Sequence, residues 1–220
     1  MMRDTLVVIL PSYDEDPNVI DSILHDIRDL GFAGLVVSNV PLPHHIPHIV
    51  RPGKIGYGNA IKEGLKLLRC NAAYMDADGT YVAKDLGKAF MKIKEGADLV
   101  IVRRFRGKLG KPEGMSLASY LRNLCVHILI LLLHRRWIDT QSGLKVMSNR
   151  MREAIIKESR EGGMTFSLET VLIALKNGFR IEEVQGEYRK RESGKSKLTL
   201  RSMLEVAIYT LKSPLIVRDR

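Results

Sequence analysis

Residues 5–10 are apolar and partly β-branched, and they read as a buried strand. Pro11-Ser12-Tyr13-Asp14-Glu15 ends it. Asp16-Pro17 then starts a helix, with a capping carboxylate followed by proline at the first helical position. Val19, Ile20, Ile23, Leu24, Ile27 and Leu30 give that helix one apolar face, and Gly31 closes it. A second short strand follows at 35–37. Strand, helix and strand in this order argue for a parallel sheet and an α/β fold.

The second constraint is Ala73-Tyr74-Met75-Asp76-Ala77-Asp78-Gly79-Thr80-Tyr81. An apolar lead-in runs directly into two carboxylates separated by one small residue. If the lead-in is a strand, Asp76 and Asp78 stand at its C-terminal end, where open α/β sheets bind ligands. Two carboxylates there suit a hard divalent ion, which would in turn hold a diphosphate. An ordinary strand-to-turn exit, in which Asp and Gly are common, accounts for the same residues.

The remaining segments fill in an α/β chain. Residues 39–52 carry four prolines and His44, His45 and His48. Nothing in the pattern aims the histidines, so an exposed irregular loop is expected rather than a metal site. Gly53-Lys54-Ile55-Gly56-Tyr57-Gly58-Asn59-Ala60 opens a helix to about residue 68. Its glycines serve either a tight turn or an approach to phosphate or sugar. A helix at 85–94 and a strand at 97–102 precede Arg103-Arg104-Phe105-Arg106, a basic strand exit, and a basic loop at 108–114. The helix expected at 117–133 is apolar nearly all round in its second half and ends in His134-Arg135-Arg136-Trp137. It reads as core, as a membrane-interface anchor, or as both.

Asp139-Thr140-Gln141-Ser142-Gly143 is a polar turn before a strand at 144–147. A helix at 166–177 carries Glu169 in its first turn, either as a partner of the helix dipole or as a carboxylate near an acceptor. A strand at 180–185 follows. From Tyr188 the chain turns basic, with Arg189, Lys190, Arg191, Lys195, Lys197 and Arg201, as in an anion-binding loop. A helix at 199–211 ends the pattern with a broad apolar face.

The net charge of +10 and pI near 9.7 call for an anionic partner. The basic residues are not interleaved with stacking aromatics, which argues against nucleic acid. Cys70 and Cys125 lie in apolar contexts without metal spacing and read as reduced core residues of a cytosolic protein. No signal peptide is expected, and the apolar run 124–133 is about half the ~20 residues of a spanning helix.

In this order the pieces resemble the family 2 glycosyltransferases, and within them the dolichyl-phosphate mannose or glucose synthase group. VVILPSYDE at 7–15 is similar to the family's first strand and Pro-x-Tyr-x-Glu turn. GYGNAIKEGLK at 56–66 resembles its Gly-x-Gly-x-Ala helix. Asp76-Ala77-Asp78 matches its Asp-x-Asp, and Arg104-Phe105 its arginine-aromatic pair. DTQSGLKVMS at 139–148 and RESGKSKL at 191–198 resemble its two more specific segments. The resemblance covers residues 5 to about 210.

It implies a GT-A fold with a mostly parallel sheet, a single domain over 1–220, and interfacial helices at 117–137 and 199–212. It implies inverting transfer from a nucleotide-diphospho-sugar to a polyprenyl monophosphate, with Mg2+ or Mn2+ at Asp76 and Asp78. Pro11, Tyr13 and Glu15 would cradle the nucleoside. Arg104, Arg191, Ser196 and Lys197 would hold the acceptor phosphate, and Asp76, Asp78, Arg104 and Arg191 would carry the reaction. The protein is then expected at the cytoplasmic face of the membrane, as a peripheral protein.

The chain departs from the family at Ser38-Asn39, where an acidic pair is usual, and at Thr80, where some members have a metal-binding glutamine. Arg122 is the candidate for an arginine expected after residue 115. No transmembrane hairpin follows the last motif, so membrane contact rests on the two interfacial helices or on a separate membrane subunit. Two other readings stand beside this one: a soluble or glycan acceptor with Glu169 as general base, and a degenerate partner of an active enzyme.

Overall fold

The computed structural model describes residues 5–53, 55–107, 109–193 and 200–218, with the side chains of 200–203 and 218 outside the description. Seven strands form one sheet in the order β3-β2-β1-β4-β6-β5-β7. The strands are β1 (Leu6–Ser12), β2 (Ala33–Ser38), β3 (His48–Val50), β4 (Asn71–Met75), β5 (Leu99–Arg103), β6 (Leu144–Met147) and β7 (Ile181–Gln185). All are parallel except β6, which runs antiparallel between β4 and β5. The expected α/β architecture with a mostly parallel sheet is the one found.

Alternate side chains of the central strands feed two cores. Val8, Leu10, Ala73 and Val100 pack under α1 (Pro17–Asp29) and α3 (Lys84–Lys94). Ile9, Ala72, Tyr74 and Ile101 pack under α2 (Tyr57–Lys66), α5 (Asn149–Glu158) and α6 (Phe166–Lys176). Helix α1 shows why the pattern works. Asp16 accepts from Asn18 N at 2.8 Å, Pro17 occupies the first turn, and Ile20, Ile23, Leu24 and Ile27 are buried. Each such burial contributes about 1.5–3 kcal/mol.

A third, smaller core joins α6 to α4 (Leu117–His134) and α7 (Leu200–Arg218) through Val126, Ile130, Leu168, Leu172 and Val206. Helix α4 buries Asn123, Val126, His127 and Ile130, so one side belongs to the domain. Leu117, Leu121, Ile128, Leu131 and Leu132 on α4 are exposed, as are Leu204, Ile208, Leu211 and Leu215 on α7. By length and composition α4 is the one helix among the described residues that is apolar enough to cross a membrane. The helix starts seven residues before the apolar run 124–133, so it is longer than that run alone implies.

Three expectations need correction. The segment 39–52 is exposed and irregular over most of its length, as expected, but not throughout. Leu42 and Ile46 are buried in the first core, and His48 sits in β3. His48 Nδ1 donates to Ile46 O at 2.7 Å and Nε2 accepts from Leu42 N at 3.2 Å, so one imidazole ties the loop to itself. Cys125 is exposed on α4, and only Cys70 is buried. Helix α7 runs to residue 218 through Pro214, seven residues past the expected end.

Candidate active site

The chain moves outward from β1 through β2 to β3, then returns to β4 on the other side of β1. The reversal lies between β1 and β4, and the crevice beyond their C-terminal ends is where such sheets bind ligands. Ile9 pairs with Tyr74, so the turn after β1 stands beside the turn after β4. Pro11 lies near the end of β1, and Tyr13 and Glu15 lie in the turn after it, each half-buried. The Glu15 carboxylate holds that turn by accepting from Tyr13 N at 2.6 Å and from Ser12 Oγ at 3.2 Å. At the end of β2, Ser38 is buried and its Oγ accepts from Val40 N, while the buried Asn39 Oδ1 has no partner among the described residues.

Asp76 and Asp78 form the floor of the crevice. Asp76 Oδ1 accepts from the Tyr57 hydroxyl at 2.9 Å, and Asp76 N donates to Gly143 O at 3.1 Å. Burial, and then the charge of Asp78, raise the Asp76 carboxyl to about 7. Burial and Asp76 push the Tyr57 phenol well above its usual range, so it stays a hydrogen donor. Asp78 is 2% exposed. Its Oδ1 accepts from Thr80 N at 3.0 Å and Thr80 Oγ1 at 2.6 Å, and its Oδ2 faces Arg191 Nη2 at 2.8 Å. Gly79 makes the turn with a φ of +81°, a conformation that favours glycine.

The 139–145 segment is a buttress behind these carboxylates. A Cβ on Gly143 would lie 2.0 Å from Asp76 Oδ2, so only glycine lets the segment pack against the carboxylate. Tyr81 Oη accepts from Gly143 N at 2.6 Å. The buried Lys145 ammonium donates to Thr140 O, Ser142 O and Ser167 Oγ at 3.1, 2.7 and 2.6 Å. Burial pulls its pKa down to about 7. Asp139 accepts from Arg104 Nε at 3.0 Å and Nη2 at 2.7 Å, and Asn123 Oδ1 accepts from the same Nη2 at 3.0 Å. Against its burial, the Arg104 charge holds the Asp139 carboxyl down at about 2. Arg104 is therefore a buried ion-pair partner whose Nε and Nη2 are committed inside the protein.

A strap covers the crevice from the far side. After β7, Gly186 N donates to Arg103 O, Glu187 N to Asp85 Oδ2, Arg189 N to Thr80 O and Glu192 N to Asp78 O. Tyr188 stands edge-on to Tyr81, with ring centroids 5.4 Å apart. The strap thus carries Arg191 onto Asp78. Between it and the 104–114 loop lies a cavity of about 310 Å³ whose lining includes Arg104, Arg106, Glu113, Tyr188, Arg189 and Lys190. Ser196 and Lys197 lie outside the described residues.

The structure thus gathers Pro11, Tyr13, Glu15, Asp76, Asp78 and Arg191 at one sheet edge. It places Arg104 on the wall of the adjoining cavity. Glu169 is elsewhere engaged: it is buried and accepts from Ser159 Oγ, Arg160 N, Glu161 N and Tyr209 Oη, which fixes the 159–161 turn. That commitment leaves it unsuited to the general-base role. Arg122 Nη2 donates to Ser119 Oγ within α4. The sequence reading gave no site role to Tyr57, Tyr81, Asp139, Gly143 or Lys145. For the last three the signal was present in the density of polar side chains at 139–145.

Carboxylate oxygens are suitable donors for Mg2+ or Mn2+, and Asp78 already faces a guanidinium cation. Among the described residues no group of three or more His, Cys, Asp or Glu side chains is arranged to hold a metal. The protein would therefore supply one or two carboxylates, with phosphate oxygens and water completing the shell, the usual arrangement for Mg2+.

No family model matches the chain. It is 28% identical to an uncharacterized glycosyltransferase of Mycobacterium tuberculosis, over 90% of this chain and 92% of that protein. It is 27% identical to a dolichyl-phosphate beta-glucosyltransferase of Trichomonas vaginalis, over 96% of this chain and 73% of that one. Among solved structures it resembles glucosyl-3-phosphoglycerate synthase of Mycobacterium tuberculosis in complex with Mn2+, UDP-glucose and glycerol 3-phosphate. The TM-score is 0.70 at 16% identity, covering 96% of this chain and 79% of that one. Mannosyl-3-phosphoglycerate synthase of Rubrobacter xylanophilus gives a TM-score of 0.60 at 16% identity, covering 96% and 72%. The fold is that of the GT-A nucleotide-sugar transferases.

Proposed function

We infer that this chain is a GT-A glycosyltransferase that takes a sugar from a nucleotide-diphospho-sugar and transfers it, with inversion, to a polyprenyl monophosphate. The observation that carries the reading is Asp78 at the sheet's switch point, a buried carboxylate already paired with a cation, Arg191. Such a seat accepts a divalent ion and a diphosphate at one end and leaves a guanidinium for a second anion. Relatives named glycosyltransferases, similar over nearly the whole chain, support the same class.

The nucleoside would lie against Pro11, Tyr13 and Glu15, and Asp76 and Asp78 would hold Mg2+ or Mn2+. When bound, the ion draws off charge that builds on the leaving diphosphate. An acceptor phosphate is already anionic at neutral pH, so its oxygen attacks the anomeric carbon with no proton to remove. The commitment of Glu169 to the 159–161 turn is consistent with a reaction that needs no general base. Arg191, once released from Asp78, and Arg104 on the cavity wall would position the acceptor phosphate, with Ser196 and Lys197 as further contacts. Catalysis is then alignment and charge stabilisation.

A lipid acceptor is supported by the leucine and isoleucine side chains exposed on α4 and on α7, with Arg135, Arg136 and Lys212 also exposed at these helices. That composition suits a helix pair lying on an anionic membrane surface. On this reading the pair would contact the membrane directly or through a separate membrane subunit, and the protein would be peripheral on its cytoplasmic side. The structural neighbours favour a second reading, a small phosphorylated acceptor, because one was solved with phosphoglyceric acid.

The test is a transfer assay with Mn2+ or Mg2+, a panel of nucleotide-sugars, and either a short polyprenyl phosphate in detergent or 3-phosphoglycerate, followed by mass. The expected result is a hexose or N-acetylhexosamine added to the lipid alone. Transfer only to phosphoglycerate would replace the lipid acceptor. Absence of transfer and of donor binding would refute the enzyme reading.

A further inference from the structure

Within Gly56-Tyr57-Gly58 the tyrosine side chain reaches Asp76. Tyr57 is the first residue of α2, and its hydroxyl donates to Asp76 Oδ1 at 2.9 Å. Its ring stands edge-on to Tyr74, with centroids 6.4 Å apart and planes at 88°. Both neighbouring glycines are at closest approach. A Cβ on Gly56 would lie 2.4 Å from Gly162 O, and one on Gly58 would lie 2.4 Å from Phe166 Cβ. The start of α2 is therefore lodged against the 162–166 segment and cannot slide without a clash. Asn59 N, donating to Gly162 O at 3.1 Å, closes the same contact.

From the other side Gly143 packs against the carboxylate, and its carbonyl holds Asp76 N. We propose that Tyr57 is a positioning residue for the donor site: with Gly143 it clamps the Asp76 carboxylate in one orientation before the nucleotide-sugar arrives. The proposal rests on the donor reading of Asp76 given above. Asp76 and Asp78 are two carboxyl groups separated by one residue, and an Asp76 side chain free to rotate would turn away from its neighbour. The phenol supplies a neutral hydrogen bond that fixes Oδ1 without bringing a cation into the seat. A lysine or arginine in its place would fix Oδ1 as well, but would repel the divalent ion. Holding a binding group in its bound geometry raises affinity by removing an ordering cost.

Isothermal titration of UDP and of GDP, each with Mn2+, into the wild type, Tyr57→Phe, Asp76→Ala and the double variant tests this. Tyr57→Phe keeps the ring and its packing on Tyr74, and equal thermal midpoints in chelator would show that the fold is intact. The nucleoside diphosphate that the wild type binds is expected to bind Tyr57→Phe about tenfold more weakly, which is about 1.4 kcal/mol. In the Asp76→Ala background, where no side-chain oxygen remains for the phenol, the same change is expected to have less than about a twofold effect. Donor KM should rise while acceptor KM holds.

An equal loss in both backgrounds would overturn the proposal in favour of direct contact between the phenol and the donor. An unchanged affinity in Tyr57→Phe would overturn it outright. A wild type that binds neither nucleotide would remove the donor reading itself, and the clamp with it.

Discussion

Replacing Arg191 with alanine should move two measurements in opposite directions. Arg191 Nη2 lies 2.8 Å from Asp78 Oδ2, and a divalent ion must approach that oxygen to about 2.1 Å. The two cations exclude one another, so an ion binds only after the Arg191–Asp78 pair has opened. A charge-assisted hydrogen bond is worth about 1.5–3 kcal/mol. Arg191 is 33% exposed, so solvent screening lowers this to about 1 kcal/mol. Removing the guanidinium spares that cost and should tighten Mn2+ binding about fivefold. The strap remains anchored through Arg189 N to Thr80 O and Glu192 N to Asp78 O, so the seat itself survives. Transfer should suffer nonetheless, because the acceptor phosphate loses a bidentate partner. A fall in kcat/KM for the acceptor of about 10- to 100-fold follows from the same 1.5–3 kcal/mol. Mn2+ titration by electron paramagnetic resonance and steady-state kinetics on the same preparation decide the matter. Weaker Mn2+ binding in the variant would refute the reasoning, since a purely structural arginine would degrade both properties together.

Other changes separate the roles of the surrounding residues. Asp78→Ala should abolish metal-dependent nucleotide-sugar binding while leaving the circular dichroism spectrum intact; retained binding would remove Asp78 from the metal. Asp139→Asn should cost about 3–5 kcal/mol in urea melts, because Arg104 would keep a buried charge without its anion. The wild-type pair also sets an acid limb. The folded Asp139 pKa is held at about 2, below its ordinary value, so its stabilisation is complete above about pH 4 and is lost as pH falls toward 2. That loss amounts to roughly 2 kcal/mol at about 1.4 kcal/mol per unit, and Asp139→Asn should lack it. Leu132→Glu with Leu215→Glu, at two of the most exposed leucines of α4 and α7, should cut binding to anionic vesicles about tenfold or more in a flotation assay. Unchanged flotation would move membrane contact elsewhere.

Local chemistry made much of this legible in the sequence. Helix α1 is announced by Asp16-Pro17 and a 3–4 apolar spacing, and Asp76 and Asp78 lie where an apolar lead-in meets a turn. Strand β3 was hidden because three residues beside prolines have no period to detect, and its burial comes from Leu42 and Ile46 folding back under β2. Helix α5 left a weak trace, since only Met151, Arg152 and Ile155 are buried in a charged stretch. The site's supporting contacts are long-range pairings that no spacing encodes. Arg104 meets Asp139 from 35 positions away, and Tyr57 meets Asp76 from 19. Local sequence marks Arg103, Arg104 and Arg106 only as a basic strand exit and does not tell their roles apart. Packing buries Arg104 against Asp139, pairs Arg106 with Glu113, and turns Arg103 toward Gln185.

The central claim is that Asp78 is a cation seat which Arg191 vacates when the donor arrives. The most direct measurement is anomalous diffraction at a manganese-sensitive wavelength from crystals grown with Mn2+ and a nucleoside diphosphate. The account predicts a manganese peak within coordination distance of Asp78, bridged to the diphosphate, with the Arg191 guanidinium withdrawn. A diphosphate bound in the crevice while Arg191 still holds Asp78, or manganese bound away from both carboxylates, would contradict it.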